Sequence, residues 1–61
     1  MIAALALLLA ADVAQLSQAG AAAMRARRYD EAARIYRELA EAPGAQPQWR
    51  LNLGLALHSG G

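Results

Sequence analysis

Residues 19–54 read AGAAAMRARRYDEAARIYRELAEAPGAQPQWRLNLG, and the two ends of that stretch decide the fold. It opens on Ala19-Gly20 and closes on Leu53-Gly54, so the glycine returns after thirty-four positions. Between the glycines, Tyr29-Asp30-Glu31-Ala32-Ala33-Arg34-Ile35-Tyr36 forms a short amphipathic segment with Ala32 and Tyr36 one helical turn apart. A glycine recurring at this period marks a helix–turn–helix repeat, a unit that cannot bury its apolar face alone and must stack on neighbours. The pattern therefore specifies an architecture and, as a class of work, binding.

Composition narrows the alternatives. Sixty-one residues make one small domain at most, with limited apolar surface to bury. There is no cysteine and a single histidine, so no disulfide and no multi-histidine metal site is expected, and no cofactor is called for. Six arginines and five acids leave a formal net charge of +1, too weak a field to favour nucleic acid or an anionic membrane. Alanine, leucine and arginine, all good helix formers, are the commonest residues, whereas Val13 and Ile35 are the only β-branched residues after position 2. The expectation is all-α.

Outward from the stretch, Met1–Ala11 is an unbroken apolar run, too short for the roughly 20 residues that span a bilayer. It fits the apolar core of a signal peptide, although no lysine or arginine precedes it, and it equally fits a buried helix of a preceding repeat. Export follows from the first reading and a cytoplasmic location from the second; a membrane role, if any, rests on this run alone. Asp12-Val13-Ala14-Gln15 has capping-box spacing, so a helix is expected to start afresh at Val13. Leu16, Ala19 and Ala23 share one face of it, and Gly20 in its interior implies close approach of another helix. Arg25-Ala26-Arg27-Arg28 is read as cationic residues at a helix C-terminus, stabilised by the dipole there.

A second helix is expected over Asp30–Ala42, with acids in its first turn and an Asp30–Arg34 pair at i,i+4. Ala32, Ile35, Tyr36 and Leu39 form its apolar stripe, leaving Arg34, Arg37, Glu38 and Glu41 to solvent. Ala42-Pro43-Gly44 stops it in a turn. Beyond Pro47, the residues Trp49, Leu51, Leu53, Leu55 and Leu57 alternate as in a half-buried strand. No other segment has strand character, and Leu53-Gly54 lies at the repeat offset, so a third helix, apolar nearly all round, is expected instead.

The repeat resembles the tetratricopeptide repeat (TPR), whose 34-residue pattern runs Trp-x₂-Leu-Gly-x₂-Tyr, Ala-x₃-Phe, Pro. Leu16, Ala19-Gly20 and Ala23 stand at the first set of positions, and Ala32 and Tyr36 at Ala-x₃-Phe. Pro43 lies one place early, and Leu39 replaces a small residue. The partial second copy matches through Asn52, Leu53-Gly54, Ala56 and Leu57, with Trp49 one place before the usual tryptophan. The expected organisation is an apolar segment over 1–11, a TPR-like repeat over 12–46 and the first helix of an incomplete second repeat over 47–61. The resemblance implies a fragment of three to four helices, with Leu16, Ala19, Gly20, Ala23, Ala32, Tyr36, Leu39, Leu53, Gly54 and Leu57 in the repeat core.

By the same resemblance, a groove lined by first helices binds a peptide or neighbouring repeats. Its positions here are Ala14, Ser17, Gln18, Ala21 and Met24, then Gln48, Leu51, Asn52, Leu55 and His58. No lysine is present and Gln18 replaces one asparagine, so a carboxylate clamp is not expected; the groove is neutral and rather apolar. The third helix, with Trp49 and four leucines uncovered, invites self-association, and the chain reads as the start of a longer repeat protein. No catalytic role is expected: Ser17, Ser59 and His58 are the candidate nucleophiles and base, with no orienting acid near them in sequence. The competing reading is a small exported or membrane-tethered peptide that works through Met1–Ala11.

Overall fold

The computed structural model describes the backbone of residues 2–60 and the side chains of residues 13–60. Three helices follow one another: α1 (Ile2–Arg25), α2 (Tyr29–Glu41) and α3 (Pro47–Gly60). Among the described residues there is no strand, so the alternating leucines after Trp49 lie on a helix. The expected restart at Val13 does not occur. Helix α1 runs through Asp12 without a break, because no glycine or proline interrupts it there. One aspartate costs a helix interior only about 0.7 kcal/mol against the strong formers on either side. Whether Met1–Ala11 is a leader or a buried helix turns on side chains outside the described residues.

Both connections are closed by main-chain hydrogen bonds. At the end of α1, the Arg28 N–H donates to the Ala23 carbonyl at 2.8 Å and the Arg27 N–H to that of Met24 at 3.1 Å. This crossed pair is a Schellman motif, which requires its pivot residue in the left-handed region. The pivot is Arg27, at φ 62°, where glycine usually stands. The turn after α2 has Pro43 second and Gly44 third, with Gly44 at φ 73° and the Ala45 N–H donating to Ala42 at 3.1 Å. Proline followed by a left-handed glycine is the type II arrangement. Pro47 then opens α3, where its missing N–H is not needed.

Helix α2 is the middle element: α1 and α3 both pack on it, and they scarcely touch each other. Trp49 lies beside Tyr36 while Gly60 lies beside Tyr29, so α3 runs antiparallel to α2. The arrangement is long and thin, 41 × 19 × 13 Å. Its radius of gyration is 12.1 Å, against about 10.5 Å for a compact globule of this length.

The buried set is Ala23, Ala32, Ala33, Tyr36, Leu39, Trp49 and Ala56, with Leu16, Met24, Ile35, Ala40, Ala45 and Leu53 packed around it. Tyr36 joins the three helices. On one side its ring stacks on Trp49, with centroids 6.3 Å apart and planes inclined by 23°. On the other it fills the notch at Gly20, where a β-carbon would lie 2.8 Å from Cζ of the tyrosine. The close approach expected at Gly20 is therefore present, and an aromatic side chain makes it.

Two substitutions probe these features. Gly20→Ala removes the helix penalty of glycine, about 1 kcal/mol, yet forces a β-carbon into a buried ring; a lower thermal midpoint by circular dichroism is expected. Arg27→Gly relieves the left-handed strain and is expected to stabilise the fold by about 1 kcal/mol in urea denaturation.

Candidate interaction surface

No polar or charged side chain is buried among the described residues, so the groups able to do chemistry there lie at or near the surface. Ser17 is half-buried on α1, while His58 and Ser59 are exposed at the end of α3. Because α1 and α3 scarcely meet, the fold does not bring the three together. Among the described residues, no cluster of three histidine or acidic side chains could hold a metal ion. Nor is any helix there long and apolar enough to cross a membrane.

The arginines of the first turn border an open hollow of about 440 Å³, lined by Arg27, Arg28, Tyr29, Asp30, Glu31, Arg34 and Gly60. Three cations face two acids across it, so its charges largely offset one another. It contains no built anion site.

The groove positions divide between two helices that α2 holds apart. On α1, Ser17, Ala21 and Met24 are half-buried and Gln18 is exposed, with Met24 also packed on the core. On α3, Gln48, Leu51 and Leu55 are exposed and Asn52 is half-buried. Leu51 is 65% exposed and Leu55 49%, one turn apart on the same face. Ala14 is exposed as well.

The core positions show a division that the repeat pattern alone does not contain. Gly20, Ala23, Ala32, Tyr36 and Leu39 are buried, and Leu16 and Leu53 are half-buried at the edge. Ala19, Gly54 and Leu57, expected in the core, are exposed instead. The reason is that α2 covers different flanks of its two neighbours. On α1 it covers Gly20 and Ala23; on α3 it covers Trp49, Leu53 and Ala56. Shifted by thirty-four, these map onto exposed residues: Gly54 and Leu57 on α3, and Gln15, Ala19 and Ala22 on α1. Leu57 is 50% exposed, and nothing lies within 4 Å of a β-carbon placed at Gly54.

The tryptophan also departs from expectation. Trp49 is not an uncovered residue of a helix without a neighbour, since only 9% of it is exposed beneath α2. Its stack on Tyr36, and the burial of Ala33 and Ala56, were not read from the repeat. The available signal was the one-place displacement of Trp49 from the repeat's tryptophan position, which is 100° of helix rotation toward α2.

No known protein family, curated protein or solved structure matches the chain.

The divided flanks are testable with pairs of sites that the repeat makes equivalent. Ala23→Glu and Ala56→Glu bury a charge and are expected to unfold the chain, since an unpaired buried charge costs several kcal/mol. Leu57→Glu and Ala22→Glu, at the matching positions, are expected to stay within about 0.5 kcal/mol of the parent in chemical denaturation.

Proposed function

We propose that the chain is a protein–protein interaction module of TPR-like, solenoid character, which binds a peptide or neighbouring repeats through the groove face of its first-type helices. The observation that carries this reading is the exposure of Leu51 and Leu55, two large aliphatic side chains one turn apart with polar neighbours Gln48 and Asn52. Apolar side chains grouped on a surface and rimmed by polar ones are a mark of interaction sites. The thirty-four-residue interval and the way α2 fills the space between two equivalent helices support the solenoid assignment.

The ligand favoured by this surface is an aliphatic peptide face. Arg50 and His58 are the only ionisable side chains of α3, and no acid lies along it, so a strongly basic peptide finds no complement there. A binding role also fits a chain whose described core is wholly apolar.

Selection of a displayed peptide library on the intact chain tests the reading. Enriched peptides are expected to be aliphatic, and Leu51→Asp and Leu55→Asp are each expected to weaken them by about tenfold, which is 1.4 kcal/mol. Circular dichroism should stay unchanged, since both sites are exposed. Peptides that bind both variants as tightly as the parent chain would overturn the groove assignment.

A further inference from the structure

We draw no further inference here: the strongest candidate, the open hollow between the end of α1 and the start of α2, has Arg27, Arg28 and Arg34 offset by Asp30 and Glu31, and no buried polar side chain among the described residues marks what it would hold.

Discussion

The constraint on which the other contacts depend is the fit of one ring, Tyr36, between a glycine and an indole. Gly20 lets α1 approach until the ring fills the space of the missing side chain, and Trp49 brings α3 onto the opposite side. Offset stacking of this kind contributes about 0.5–1.5 kcal/mol beyond the area it buries. More importantly, it gives α1 and α3 a common reference although they scarcely touch. Leu39, 1% exposed, lies one turn further along the same stripe of α2 and extends the contact. Four of the seven buried hydrophobic residues are alanines, which bury little area each but permit short interhelical distances. The core is thus thin, and its stability is concentrated in Tyr36, Leu39 and Trp49.

The same geometry explains why two helices with equivalent sequence positions end in different environments. A helix between two neighbours uses two flanks; α2 has both neighbours, and α1 and α3 each have one among the described residues. The buried flank of α1 carries Gly20 and Ala23, and that of α3 carries Trp49, Leu53 and Ala56. The remaining flanks keep apolar and small residues that no described residue covers. Leu57 and Gly54 on one helix and Ala19 and Ala22 on the other have compositions suited to contact and the exposure of surface residues.

Much of this was legible before any coordinates. The spacing of Ala32, Tyr36 and Leu39 placed α2 and its buried stripe, Pro43-Gly44 placed the second turn, and the interval from Gly20 to Gly54 overruled the strand-like alternation after Trp49. What escaped the reading has physical causes. The capping pattern at Asp12 is a local preference worth tenths of a kcal/mol to about 1 kcal/mol, which a continuous run of strong helix formers outweighs. The flank on which each residue lies depends on which helix arrives first to cover it, and a linear repeat assigns Gly20 and Gly54, or Ala23 and Leu57, the same environment. The stack of Trp49 on Tyr36 is a contact between helices and has no trace in the periodicity of either. On the surface, the repeat resemblance points to Leu51 and Leu55, and the structure shows both exposed, whereas the open notch at Gly54 becomes visible only by comparison with the filled one at Gly20.

The corner between α1 and α2 is drawn by main-chain atoms alone. The crossed hydrogen bonds from Arg27 and Arg28 hold the turn, and Arg28, at the cap position before α2, makes no side-chain capping bond. The arginine side chains there are exposed, while the hydrogen bonds that close the turn are between main-chain groups. Shape and charge are consequently decoupled at this corner. Its electrostatic character can drift through many substitutions while the path of the chain stays the same, so two variants of this protein could present opposite charges on one unchanged scaffold.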